Sequence, residues 1–157
     1  MNFAFSDEQE QLREFVRSFL EEKSDEAAVR EQMETENGFD ADVWQQMCEQ
    51  LALPALIIPE EYGGQGYGYV ELIVVLEEMG RSLLCAPYFS SVVLAANTLI
   101  HSGDDDAKAN LLPQIAGGTV ATLAITEENG KWDEAGVTMQ ATASGDGYTL
   151  DGTKMYV

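Results

Sequence analysis

The stretch ATLAITEENGKWDEAGVTMQATASGDGYTLDGTKMYV, Ala121 to Val157, decides the fold because its period is that of strands while everything before it has the period of helices. It reads as strand, acidic loop, strand, turn, strand, tight turn, strand. Ser144-Gly145-Asp146-Gly147 lies between Val137–Ala143 and Tyr148-Thr149-Leu150, and Asp151-Gly152 precedes Thr153–Val157. Asp-Gly suits a type I′ turn, whose two central residues both need positive φ. The last strand has no closing loop, so a sheet ending there would expose an unpaired edge. A piece of a longer chain, or a chain that needs a partner, is the expectation.

Working outward, the composition fits a globular protein: 157 residues, 45% of them hydrophobic, are enough for one core. The 28 acidic and 8 basic side chains give a net charge of −20, a surface that repels phosphate backbones and anionic lipid. No nucleic acid and no membrane partner is expected. Met1-Asn2-Phe3-Ala4-Phe5 lacks the basic and long apolar regions of a signal peptide, and no stretch approaches the about 20 apolar residues of a membrane span, so a cytoplasmic location is expected. Cys48 and Cys85 are far apart, without metal-ligand spacing, and read as buried reduced thiols. His101 is the only histidine and reads as a helix-end residue, and no metal site is expected.

Ser6-Asp7-Glu8-Gln9 has the form of a capping box, and Leu12, Phe15, Val16, Phe19 and Leu20 follow on one helical face. The acidic run from Glu21 fades through Arg30 to Gly38 as a solvated loop or frayed helix. Asp40 caps a helix with Val43, Trp44, Met47 and Leu51 as its buried stripe, limited by Pro54. Glycines in Pro59–Gly68 superficially suggest a phosphate loop. They lack the lysine and hydroxyl such a loop needs and follow two glutamates, so the segment reads as a rigid connection. Glu71–Met79 is predicted as a central helix ended by Gly80, with Arg81 meeting the exposed carbonyls. Pro87–Ile100 forms a compact apolar helix. A last short helix, about Asp106 to Ile115, turns Leu111, Leu112 and Ile115 inward and stops at Gly117-Gly118. The fold class is therefore mainly α with a β appendage.

The order of Pro59-Glu60-Glu61-Tyr62-Gly63-Gly64, Leu76-Glu77-Glu78-Met79-Gly80-Arg81, Leu111-Leu112-Pro113, Thr122–Glu127 and Gly147–Tyr156 resembles the amino-terminal portion of an acyl-CoA dehydrogenase across essentially the whole chain. The resemblance implies residues 1–118 as a helical amino-terminal domain, a helical bundle, and 119–157 as an incomplete middle β-domain holding the first strands of a β-barrel. It also implies FAD as cofactor, an acyl-CoA substrate oxidised to a trans-2-enoyl-CoA in fatty acid metabolism, and a homo- or hetero-oligomer. The family's catalytic carboxylate lies in a carboxy-terminal domain, so no catalytic residue is assigned here, and the chain alone is expected to be inactive. The alternative is a non-catalytic helical module or partner subunit that has lost flavin binding.

By the same resemblance, Leu123, Ile125 and Thr126 occupy the strand running along the flavin, and Tyr156 the aromatic position packing on its ring. An ordinary sheet aromatic is the other reading of Tyr156. After Thr-Glu the family continues with Pro, small residues, Gly, Ser and Asp, where this chain has Glu128-Asn129-Gly130-Lys131-Trp132-Asp133. Lys131 offers positive charge to an anionic group, whereas Trp132 fills space that Gly and Ser leave open. Asp133 reads equally as a loop cap. Tyr88, Phe89 and Val92 either line the acyl pocket or pack the core. Glu127 and Glu128 read equally as solvated loop charges, since a general-base role for either would need a geometry that sequence does not give, and neither is assigned one.

Overall fold

The fold was obtained as a computed structural model that describes residues 4–157; Met1–Phe3 of the opening segment lie outside the described residues. The chain is mainly helical with a two-stranded β appendage and divides into two compact units, one running to Ala121 and the other Thr122–Val157.

In the first unit, α1 (Asp7–Lys23) starts at Ser6, whose hydroxyl accepts from the Gln9 amide at 3.2 Å while Gln9 Oε1 accepts from the Ser6 amide at 2.9 Å. Two otherwise orphaned donors are thus satisfied reciprocally. The remaining Gln9 amide group donates to Glu71 at 2.8 Å, and Glu71 also accepts from the Gly68 amide at 3.0 Å. One glutamine therefore links the start of α1 to the start of α4 (Tyr69–Arg81). The acidic run after α1 is helical where the sequence predicts a loop or fraying: Asp25 caps α2 (Glu26–Met33) by accepting from the Ala28 amide at 2.8 Å, and Arg30 pairs with Glu26 one turn back. This helix buries none of its residues, so apolar periodicity could not reveal it.

Asp40 caps α3 (Ala41–Glu49), which turns Trp44 and Met47 inward. They join Val16 and Leu20 of α1, Leu72, Val75 and Met79 of α4, and Tyr88 and Val92 in one core cluster. Removing a side chain such as Leu20 down to alanine would cost about 2–5 kcal/mol through lost burial and the cavity left behind. Between α3 and α4 the chain folds back on itself. Gln65, Gly66 and Tyr67 donate to the carbonyls of Ala55, Ile58 and Leu56 at 2.9 Å each. A Cβ on Gly64 would stand 1.8 Å from the Ile58 carbonyl oxygen, so the glycine run serves backbone approach within this connection.

Helix α4 passes through Gly80, contrary to the predicted stop. Its end is set one turn later, where Leu83 takes φ +49° and Leu83 and Leu84 donate back to the carbonyls of Gly80 and Met79. This is the left-handed C-cap usually built on glycine. Arg81 reaches carboxylates in place of the helix-end carbonyls, donating to Glu78 at 2.9 Å and Glu21 at 3.0 Å. A π-wound segment, Phe89–Ala96, then leads into α5 (Asn97–Ile100), closed by His101. At that end Tyr69 donates to Asn97 Oδ1 at 2.9 Å, Asn97 Nδ2 donates to the Val93 carbonyl at 3.0 Å, and His101 Nε2 lies 2.7 Å from the Tyr69 hydroxyl.

Helix α6 (Asp105–Ala116) packs Leu112 and Ile115 with Ile58, Ala95 and Ala96 in a second cluster. Leu111 is exposed, against expectation, because the inward stripe at that spacing holds only its neighbour and the residue three further on. Gly118, at φ +97°, ends the helix. Its carbonyl accepts from the Trp44 indole at 2.9 Å, and a Cβ there would lie 2.6 Å from Cys48 Sγ. Cys48 is a free, half-buried thiol that burial pushes up to about 11, and Cys85 is likewise free.

In the second unit, β1 (Ala141–Ser144) pairs antiparallel with β2 (Gly147–Leu150), with Ser144 opposite Gly147. The intervening Gly145 has φ +61° and Asp146 does not share the left-handed region, the pattern of a type II′ turn. Two predicted strands and the first part of a third, the Val137–Ala143 strand that β1 realises only from Ala141, are corrected. Leu123–Glu127, Val137–Gln140 and Thr153–Val157 carry no strand pairing, because a ladder needs a partner and this sheet has two strands. Asp151 does not reach positive φ either, so Asp151-Gly152 does not form the predicted type I′ turn. Among the described residues no helix is long and apolar enough to cross a membrane.

Glu78 is the buried charge of the first unit, with 3% of its side chain exposed and Arg17, Arg81 and Arg13 around it at 2.7, 2.9 and 3.4 Å. Hydrogen bonds from Arg17 above all, then from Arg81 and Arg13, outweigh the cost of burial and hold its carboxyl down at about 2, against an ordinary 4.5. A carboxyl lowered on folding contributes stability that is complete above the ordinary value and is lost as pH falls toward the folded one. Because solvent reaches Arg17 and Arg81, we expect about 1–2 kcal/mol to disappear between pH 4.5 and 2. Glu78→Gln should lower the unfolding free energy in urea at pH 7 by about 1–3 kcal/mol and flatten that acid limb. An unchanged acid limb in the variant would contradict this account.

Candidate functional site

The second unit is organised by Glu127, which is buried and is therefore not the solvated loop charge that is one of its two sequence readings. Its carboxylate accepts from the Thr138 amide at 2.9 Å, the Met139 amide at 3.0 Å and the Lys154 ammonium at 2.8 Å, and from the Thr138 hydroxyl as well. Lys154 also donates to the Ile125 carbonyl at 3.3 Å, and the Met155 amide donates to the Thr126 carbonyl at 2.8 Å. One side chain thereby joins three stretches with no ladder of their own. These bonds, led by Lys154, bring the Glu127 carboxyl down to about 2. A sequence signal existed: a Thr-Glu pair closing an apolar stretch, with a lysine in the last segment. Nothing in the spacing said that they would meet.

The consequence lies just upstream. Among the described residues Leu123 and Ala124 make no backbone hydrogen bond, and beyond them Ile125 and Thr126 use only their carbonyls, toward Lys154 and Met155. Thr126 is buried, Leu123 half-buried and Ile125 37% exposed. Among the described residues, the amides of this run and the carbonyls of Leu123 and Ala124 take part in no hydrogen bond, and the run is held from the Glu127 side. Tyr156 sits at the other end of the same unit, 87% exposed and at φ +58°.

The loop from Glu128 to Gly136 is closed by its own side chains. Asn129 accepts from the Lys131 amide at 2.9 Å and donates to the Gly136 carbonyl at 2.8 Å, and Asp133 accepts from the Gly136 amide at 3.0 Å. Asp133 is therefore a loop cap. A Cβ on Gly136 would stand 2.7 Å from Lys131 Cβ, so the closure requires glycine there. Lys131 is exposed and Trp132 stands 80% exposed. A polar concavity of about 850 Å³ lies beside this loop, bordered by Glu127, Thr138, Thr142 and Thr149.

In the first unit the three predicted pocket residues part company. Tyr88 and Val92 are buried in the core, with the Tyr88 hydroxyl donating to the Leu53 carbonyl at 3.2 Å and burial pushing that phenol up. Phe89 is 57% exposed at the edge of an apolar concavity of about 250 Å³ shared with Leu76 and Gly80.

Comparison with known proteins gives these features a context. Residues 6–119 match the family model described as acyl-CoA dehydrogenase, N-terminal domain. Acyl-CoA dehydrogenase IpdE2 of Mycolicibacterium smegmatis is 39% identical over 73% of this chain and 37% of its own. The probable acyl-CoA dehydrogenase YngJ of Bacillus subtilis is 31% identical over 100% of this chain and 41% of its own. Among solved structures, the ChsE4-ChsE5 complex from Mycobacterium tuberculosis superposes with a TM-score of 0.82 at 28% identity, covering 98% of this chain and 41% of that one. The chain thus spans 37–41% of the length of these relatives.

Because Glu127 holds two backbone amides, Glu127→Gln should speed amide hydrogen exchange at Thr138 and Met139 by at least about tenfold, while exchange in α1 and α4 stays unchanged. In the parent chain the same protection should persist above pH 4.5 and fade as the medium is acidified toward 2, since the folded carboxyl is the lower one. Unaltered exchange at both amides would remove Glu127 as the organising group.

Proposed function

The chain belongs to the acyl-CoA dehydrogenase family and corresponds to the amino-terminal portion of its members, and from that premise we propose that it contributes one wall of an FAD site in an enzyme oxidising an acyl-CoA thioester to a trans-2-enoyl-CoA. The observation that carries the reading is the Leu123–Thr126 edge, whose amides and whose Leu123 and Ala124 carbonyls are unspent among the described residues. Those groups fit the polar rim of an isoalloxazine, whose alternating donors and acceptors need partners when removed from water. Bound FAD supplies the hydride acceptor, chemistry that no side chain provides.

The chain's own residues bind and orient. Leu123 and Ile125 offer apolar contact and backbone polarity along the edge, and Thr126 a hydroxyl. Tyr156, already in the open, offers an aromatic face to the ring. Lys131 and Trp132 take the positions at which the resemblance places a close backbone approach to the cofactor, the ammonium meeting an anionic group and the indole limiting the space. Phe89 contributes to the acyl pocket from its concavity, while Tyr88 and Val92 hold it from the core behind. No catalytic base is assigned to these residues. The division at residues 1–118 and 119–157 belongs to the same proposal, as do an oligomeric assembly and a cytoplasmic location.

A second reading, a partner subunit without flavin, is favoured by one observation: the self-closed loop presents Lys131 and a bulky Trp132 where the family has Gly and Ser. The tests separate them. FAD added to the assembled protein containing this chain should yield stoichiometric yellow complex that an acyl-CoA bleaches anaerobically. Residues 1–157 alone should bind FAD weakly, because one edge cannot preorganise a closed site. A colourless assembly at saturating FAD would select the second reading.

A further inference from the structure

Donors and acceptors are not left evenly along the Leu123–Thr126 run. Lys154 Nζ donates to the Ile125 carbonyl at 3.3 Å, and the Met155 amide donates to the Thr126 carbonyl at 2.8 Å. At Ile125 and Thr126 the backbone acceptors are therefore taken, while the amides are not. Thr126 adds a hydroxyl that makes no hydrogen bond among the described residues, although the residue is only 4% exposed. This end of the run is thus a group of N–H and O–H donors in reserve.

Lys154 does more here than the fold requires of it. Glu127 would keep two amides and a hydroxyl without the lysine, so its carboxylate does not depend on the ammonium for partners. Yet the ammonium lies 2.8 Å from Glu127 Oε1, spends a second donor on the Ile125 carbonyl, and leaves 19% of its side chain exposed. Lys131 is the other cation in residues 122–157, and it stands exposed in the self-closed loop. Lys154 is the cation set behind the donor end of the edge. Fixed donors and a fixed positive charge favour whichever form of a ligand carries more negative charge, because they need no reorganisation to receive it.

We propose that Lys154 is a positioning residue for the flavin. Occupying the Ile125 carbonyl, it keeps that end of the edge a rim of donors, and its charge favours reduced over oxidised FAD. Uptake of two electrons and a single proton leaves the isoalloxazine anionic, and that is the form such a rim prefers. The role rests on the flavin reading above and adds to it a residue and a direction. Glu127 opposes the effect, so the pair sets a balance between two charges of opposite sign.

The midpoint potential of FAD in the assembled protein, titrated with dithionite against a reference dye, tests this in two variants. Lys154→Met should lower the affinity ratio of reduced to oxidised FAD about tenfold, a fall of about 30 mV for a two-electron couple. Glu127→Gln leaves the lysine uncompensated and should raise the potential instead. A merely structural role would loosen the same unit in both variants and move both potentials the same way. Shifts of like sign, or no shift, would overturn the role. In the flavin-free protein the 13C signal of the Ile125 carbonyl should move in Lys154→Met, because its donor is gone. An unmoved signal would remove the contact on which the role stands. A colourless protein at saturating FAD would refute the flavin reading and this role together, whereas a yellow one with shifts of like sign refutes this role alone.

Discussion

A carboxylate withdrawn from water can stay ionised only if its surroundings replace the lost hydration, and the helical unit is arranged around that demand at Glu78. Arg13 and Arg17 come from α1, and Arg81 lies one turn onward in α4, so satisfying the charge fixes the rotation of the two helices about each other. Once that rotation is set, Val16 and Leu20 can only meet Leu72, Val75 and Met79, and the apolar cluster follows. Gln9 repeats the link at the other end through Glu71. Burial supplies the driving force. The polar contacts supply the register.

The β unit solves the same problem with less material. Its sheet has two strands, too few for independent stability, and Glu127 replaces missing ladder bonds by collecting two amides, a hydroxyl and an ammonium. Because those donors lie downstream, the backbone before Glu127 is held with only the Ile125 and Thr126 carbonyls taken, by Lys154 and Met155. The proposed binding edge rests on this arrangement: position is provided from one side, and the amides of the run with the Leu123 and Ala124 carbonyls are left on the other.

How much of this was legible depended on whether a feature is local. Ser6 with Gln9, Asp40 before Val43, and the apolar body of α4 announce themselves through capping chemistry and period, and the helices appear there. Asp25 also caps, yet α2 has no buried stripe, so the pattern that would have drawn attention to it is missing. Strands fared worse. Alternation in residues 122–126 and 153–156 produces no strand, because pairing is a property of two segments, and only the hairpin at Gly145 brings its own partner. Of the site, the edge and Tyr156 came from family likeness. Glu127, joined to a lysine 27 positions away, was invisible to spacing, and the inward turn of Tyr88 and Val92 against the outward turn of Phe89 depends on a π-wound segment that a helical period does not anticipate.

The polar chain at the end of α5 carries a further implication. Asn97 spends its nitrogen on the Val93 carbonyl, so its oxygen must face Tyr69, and the tyrosine must give its proton to that oxygen. The phenolic oxygen is then left as an acceptor, and the neighbouring imidazole of His101 must present a proton on Nε2. A backbone carbonyl one turn back in the helix thus dictates, through two side chains, which tautomer the only histidine adopts when neutral, leaving Nδ1 as its basic atom.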